Sequence, residues 1–400
     1  MQLGWIDFSK YERDKVLGVL DSLTEQGTLD ELGIAPIRDG FADLFFPGTS
    51  TLQTRAKYFL LIPYACKDLE RSDVTNPSTA YKNLYAIERE TAEILHRRNP
   101  KELGIIGGEY EGKRDWIKRP PSTLYWAGLR RYGIFGGNSS LSEYLKATCA
   151  VKRDKDTLKK LGNRNDAEDC DDKDAGAVQS IRFFSVPTYQ TDWKEKLTIQ
   201  LTKEEAEYLK NKIRLAAPDS LLVYLLNTKN KEFFNCNSFE AVSSIIDDEK
   251  LKADCEMAVG FSNFLYVLRT VYNIVISMGE NEQAKSEMEK FQPHLKTYSD
   301  IDIEAIFLRL KSANERLMNN DKLKKFLQKS KAAMAESNIE ELKRLVTERE
   351  RSIKGSSRAK TMNASSVYAD KWIGGGYLDY RLGRVQQLLK DIFDGEADNV

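Results

Sequence analysis

Between Lys250 and Met278 the chain is apolar on nearly every face. A helix of that kind cannot lie on a surface, so other helices must wrap it. Its most apolar window, Met257 to Met278, still carries Asn263, Arg269, Thr270 and Asn273. A central arginine is costly in lipid, so the window reads as a buried core helix and not as a membrane span. The fold class expected is mainly α. An N-terminal helical domain, with a helix-turn-helix or winged-helix-like part as one reading, would precede a C-terminal helical bundle that opens on a few short strands. The division expected is residues 1–150, a charged linker at 151–178, and residues 179–400.

Periodicity and punctuation place the other elements. Ser9 precedes a periodic run, Tyr11 to Leu23, that Gly27 stops. Pro36 to Phe45 reads as a second helix. Pro47-Gly48-Thr49-Ser50 turns the chain into another helix starting at Thr51, which Pro63 should kink or end near Leu61 or Ile62. Ala80 to Arg98 is helical with a charged side, Glu88, Arg89, Glu90 and Glu93, taken as a solvated face. Pro120-Pro121-Ser122 opens a helix from Thr123 to Tyr132 that Gly133 closes. Residues 152–174 hold 15 charged side chains in 23 positions, too polar to bury a core. Short strands are expected at Ser180–Val186 and Lys196–Leu201, then helices at Glu204–Leu215 (with a Thr202…Glu205 capping box), Asp219–Leu226 and Phe239–Ile246. A second capping box at Ser337…Glu340 and a last helix, Leu378–Phe393, follow.

Composition narrows the chemistry. The five cysteines show no C-x-x-C spacing, and the two histidines, His96 and His294, lie far apart, so histidine or zinc chemistry is poorly supplied. No Walker loop, G-x-S-x-G or H-E-x-x-H occurs. No cofactor and no metal are expected, and an enzyme is the less favoured class. The N-terminus lacks a secretory signal pattern, and a cytoplasmic location is expected.

Lys+Arg and Asp+Glu balance at 61 each, so any affinity for nucleic acid must come from a local patch. The one concentration is Lys113 to Tyr132, with six basic residues, one acid and four aromatics. Lys113, Arg114, Lys118, Arg119, Arg130 and Arg131 suit phosphates, and Trp116 or Trp126 suits stacking on bases. The N–H groups at Ser122 and Thr123 could meet a phosphate, although Arg130 and Arg131 also complement the end of their own helix. Arg55 and Lys57, with Gln53, would face DNA if the turn at Pro47 belongs to a helix-turn-helix; an ordinary helical hairpin is the commoner arrangement. A second basic-aromatic stretch, Lys371 to Arg384, joins Gly374-Gly375-Gly376 to Trp372, Tyr377 and Tyr380. There Arg381 and Arg384 need anionic partners, either carboxylates or a phosphate.

Four blocks carry a resemblance: Gly4-Trp5-Ile6-Asp7-Phe8-Ser9; Asp30 to Ile34 through Pro47 to Phe59; Ser122 to Leu129; and Trp372 to Arg381. In these the chain resembles an uncharacterised bacterial family associated with phage-defence islands. The resemblance implies a cytoplasmic component acting beside helicases, methylases or nucleases, and it carries over no catalytic residues. Tyr132 stands where the family pattern has Trp. The function expected is a DNA-binding accessory component of an anti-phage system. One rival is a metal-dependent nuclease built on Asp39, Asp43, Glu109 and Glu111 with Arg55 and Lys57. The other is a structural interaction subunit that touches no nucleic acid.

Overall fold

The computed structural model describes residues 30–110, 112, 113, 116–162, 183–313, 317 and 320–397. The periodic run expected at Tyr11–Leu23 lies outside the described residues. The described chain is mostly helical: α1 (Ala35–Phe45), α2 (Tyr58–Arg71), α3 (Pro77–Arg98), α4 (Pro121–Arg131), α5 (Leu141–Gly162), α6 (Lys203–Ala216), α7 (Leu221–Thr228), α8 (Phe239–Ser244), α9 (Glu249–Ile276), α10 (Glu282–Phe291), α11 (Ile303–Leu310), α12 (Asp321–Ala335), α13 (Ile339–Lys354) and α14 (Leu382–Ala397). No sheet forms among the described residues. The nearest approach to one is an isolated antiparallel bridge between Phe135 and Phe184, so the strand expected at Lys196–Leu201 is absent.

Two compact units divide the chain, and they interleave in sequence. One joins the described residues up to Phe41 to Phe239–Tyr380; the other joins Ala42–Ser238 to the segment from Arg381 onward. None of the three crossings falls at 151–178. The first lies inside α1, the second between Ser238 and Phe239, and the third between Tyr380 and Arg381, two non-glycine residues at φ +47° and +70°. Part of the expected linker is helix instead, because α5 runs to Gly162.

In the first unit α9 is the core helix. It is the one described helix long and apolar enough to cross a membrane, yet 72% of its apolar window is buried inside the molecule. Helices α8, α10 and α13 pack against it. Its polar residues are explained by the loop they hold. Asn273 donates to the Ile373 carbonyl (2.9 Å) and accepts from the Ile373 N–H (2.8 Å), the Ser262 hydroxyl accepts from Leu378 N–H (2.8 Å), and Arg269 donates to the Gly376 carbonyl. A methyl group added at Gly374, which sits at φ +92°, would lie 3.7 Å from the Arg269 side chain. What the triple glycine approaches is therefore the core helix.

In the second unit α2 packs on α3 and α4, α5 on α3 and α4, and α6 on α7 and α14. Asn76 caps α3 by accepting from Ser78 N–H (2.9 Å) and Thr79 N–H (3.2 Å), with Pro77 at the first helical position. The Thr202–Glu205 capping box forms as expected. The second box is shifted by one residue: Asn338 caps α13, accepting from Glu341 N–H. Pro63 neither ends nor delimits α2, which continues to Arg71. The helix expected from Thr51 starts only at Tyr58, so Gln53, Arg55 and Lys57 precede it.

Candidate nucleic-acid interface

The turn at Phe46–Arg55 and helix α4 are built into each other. A methyl group added at Gly128 of α4 would lie 2.5 Å from the Gly48 carbonyl and 2.7 Å from the Phe59 ring. Gly48, at φ +85°, is backed in turn by the Tyr132 ring. The Tyr125 hydroxyl accepts from Thr54 N–H (2.8 Å) and Arg55 N–H (3.1 Å), and donates to the Arg55 carbonyl (2.9 Å). Two blocks that stand out in the sequence thus form one packed knot, and their aromatics are scaffold.

Arg55 and Lys57 do not present to DNA. Arg55 is 7% exposed; its Nε lies 3.0 Å from both Asp391 oxygens, and its Nη1 pairs with Glu102 and donates to the Leu103 carbonyl. Burial lowers the guanidinium pKa, but Asp391 and Glu102 outweigh it and the net shift is upward. Lys57 is 5% exposed and donates to Glu205 at 2.5 Å. Burial holds its pKa below the usual lysine value even with Glu205 opposing. The Glu205 carboxylate also accepts from the Tyr64 hydroxyl (3.0 Å), beside a cavity of about 280 Å³. The helix-turn-helix reading is corrected accordingly: its recognition residues are buried ion-pair partners.

The segment before α4 divides. Trp116, expected to stack on bases, is 7% exposed; its Nε1–H donates to the Gly107 carbonyl (3.0 Å) and its ring meets the edge of Tyr85. Gly107, at φ +78°, leaves the space it fills, since a side chain there would collide with the indole. Trp126 is likewise buried, its Nε1–H on the Ser139 carbonyl and its ring among Phe135, Tyr144 and Phe184. Burial of both indoles corrects the stacking assignment. Arg114 lies outside the described residues. Lys113 is exposed, with its ammonium 4.6 Å from the centre of the Tyr110 ring and its carbonyl accepting from Arg89. Lys118 and Arg119 are exposed just before α4.

On α4 the solvent face is Thr123, Ala127, Arg130 and Arg131. Arg130 donates to the Asn138 carbonyl at 2.8 Å and remains exposed. The start of the helix is not open to an external phosphate. Buried Glu88 accepts from Ser122 N–H (2.5 Å) and from the Ser122 hydroxyl (3.0 Å), filling the anion position from inside. Desolvation pushes the Glu88 carboxyl up to about 8, against those two hydrogen bonds. Glu88 is therefore not part of a solvated face. Arg381 pairs with Asp43 (2.7 Å) and donates to the Thr49 carbonyl (2.7 Å); exposed Arg384 donates to the Thr51 carbonyl (3.1 Å). Arg381 thus finds a carboxylate within the protein, and Arg384 a backbone carbonyl.

What sequence reasoning missed are the partner roles of Glu88, Glu102, Glu205 and Asp391 within the fold. The signal that could have found two of them is register. Glu88 lies in phase with buried Ala80, Leu84, Ala92 and Leu95, and Glu205 with Leu209 and Ile213. Two of the carboxylates proposed for a nuclease are taken up in ion pairs. Asp39 pairs with Arg38, Asp43 pairs with Arg381, Glu109 is exposed and Glu111 lies outside the described residues. Among the described residues no three His, Cys, Asp or Glu side chains are grouped to hold a metal ion.

Residues 1–290 match a family of unknown function, DUF6361. The chain belongs to that family. The DUF6361 match takes in the first three blocks of the resemblance and every nominated cation except Arg381 and Arg384; the block at Trp372–Arg381 lies beyond it. No curated protein and no solved structure matches the chain.

Proposed function

We propose that this protein is a nucleic-acid-binding accessory component of a bacterial defence system, and that it grips the phosphate backbone without reading bases. The observation that carries this reading is the solvent face of α4. Lys118 and Arg119 are exposed at its start, Arg130 and Arg131 at its end, and the small side chains of Thr123 and Ala127 lie between. Eleven helical residues span about 16 Å, enough to bring the two pairs to different phosphates of one strand. Exposed Lys113 belongs to the same unit and adds to the charge. With Trp116 and Trp126 buried, base stacking has no part in this mode, and sequence preference should be weak. The defence role rests on the family resemblance, with a helicase, methylase or nuclease as the partner class.

A second reading, an interaction subunit without nucleic-acid contact, is favoured by one fact: all four aromatics of the Lys113–Tyr132 block are buried. Gel retardation of a short duplex and of a single strand at low salt separates the two. Retention that salt abolishes supports backbone binding, and no retention of either DNA supports the interaction subunit.

A further inference from the structure

In the second unit, a cleft of about 500 Å³ opens between the end of α7 and the last turns of α14. Phe234 and Phe393 form its apolar walls, with ring centres 6.0 Å apart and edge to face. Lys229, Lys231 and Lys390 line it against only two carboxylates, Asp394 and Glu396. Glu396 is already held twice, by Lys210 and, at 2.6 Å, by Lys229. Lys229 sits at the end of α7 in the left-handed region (φ +49°), with its ammonium 5.7 Å from the centre of the Phe393 ring. Helix-end electrostatics and its pair with Glu396 explain Lys229. They do not explain Lys390, which lies seven residues before the end of α14, or Lys231, which lies beyond α7. Neither of these exposed lysines forms an ion pair among the described residues.

A volume of this size matches a small-molecule site, and apolar walls with unpaired cations at the mouth fit one ligand chemistry. We propose that the cleft binds a small amphipathic anion, with its planar or acyl body against Phe234 and Phe393 and its carboxylate, sulfonate or phosphate on Lys231 and Lys390. The site is independent of the α4 face, and neither needs the other to be correct.

The test is titration of the full chain with 8-anilinonaphthalene-1-sulfonate, followed by fluorescence, beside uncharged N-phenyl-1-naphthylamine. The result expected is one saturable sulfonate site, at least tenfold weaker in the surface double variant Lys231→Glu/Lys390→Glu, with the neutral dye bound alike by both proteins. Phe234→Ser should weaken both dyes. Competition by laurate and by adenosine 5′-monophosphate tells an acyl carboxylate from a nucleotide as the natural source. Absence of a saturable site, or a double variant that binds the sulfonate as well as the parent does, would overturn the proposal. Because Arg130→Glu/Arg131→Glu leaves this cleft untouched, loss of DNA retention in that variant with dye binding intact would separate failure here from failure of the α4 reading.

Discussion

Glu88 shows how a single buried group bears on the pH response of the second unit. Its carboxyl has a pKa of about 8 in the fold and a value near 4.5 when unfolded. Below about 4.5 both states hold the proton. Between the two values the folded chain keeps a proton that the unfolded chain releases, so stability falls as pH rises through this window and then levels off. Urea unfolding between pH 5 and pH 8 should show a loss on the order of several kcal/mol in the parent, and a much flatter profile in Glu88→Gln. An equal slope in the two proteins would contradict this assignment. At Arg55 the expectation concerns charge. Asp391→Asn leaves a guanidinium buried with only Glu102 to pair it, at a cost of about 3–5 kcal/mol in denaturant unfolding. A change under 1 kcal/mol would show that water reaches the pair.

Among the elements, α4 does two jobs on opposite sides. Its inner side carries Tyr125, Trp126 and Leu129 into the core, and Gly128 lets the Gly48 carbonyl approach to a distance no other residue permits. Gly128→Ala should therefore cost about 1–3 kcal/mol although alanine is the better helix former, because the contact is backbone against backbone. A rise in Tm would refute that packing. The outer side keeps Arg130 and Arg131 in water. Helix starts and stops were legible at Thr202 and Gly133, but the start of α3 was placed at Ala80, three residues late, although Asn76-Pro77 marks it. The start of α2 was misplaced because Pro47–Ser50 resembles a capping turn, whereas the Tyr125 hydroxyl takes up the N–H groups of Thr54 and Arg55 ahead of the helix.

At the scale of the molecule, the mainly helical class and the central place of α9 followed from apolar periodicity, which is a local property of the chain. The interleaved units did not, because they depend on pairings such as Arg55 with Asp391, separated by more than three hundred residues. The same limit applies to the site. A basic residue is recognisable in a sequence, but whether it meets a phosphate or a carboxylate depends on partners that the fold brings in. Arg55, Lys57 and Arg381 met carboxylates, while Lys118, Arg119, Arg130 and Arg131 are exposed.

The most direct measurement is the affinity for a short DNA duplex as a function of salt, for the parent and for Arg130→Glu/Arg131→Glu. Four phosphate contacts give a slope of log K against log salt of about −3.6. The charge-reversed variant should lose roughly half of that slope and at least tenfold in affinity at low salt while its unfolding curve stays unchanged. A parent that binds no DNA at low salt, or a variant with the parent's slope and affinity, would contradict backbone binding through α4.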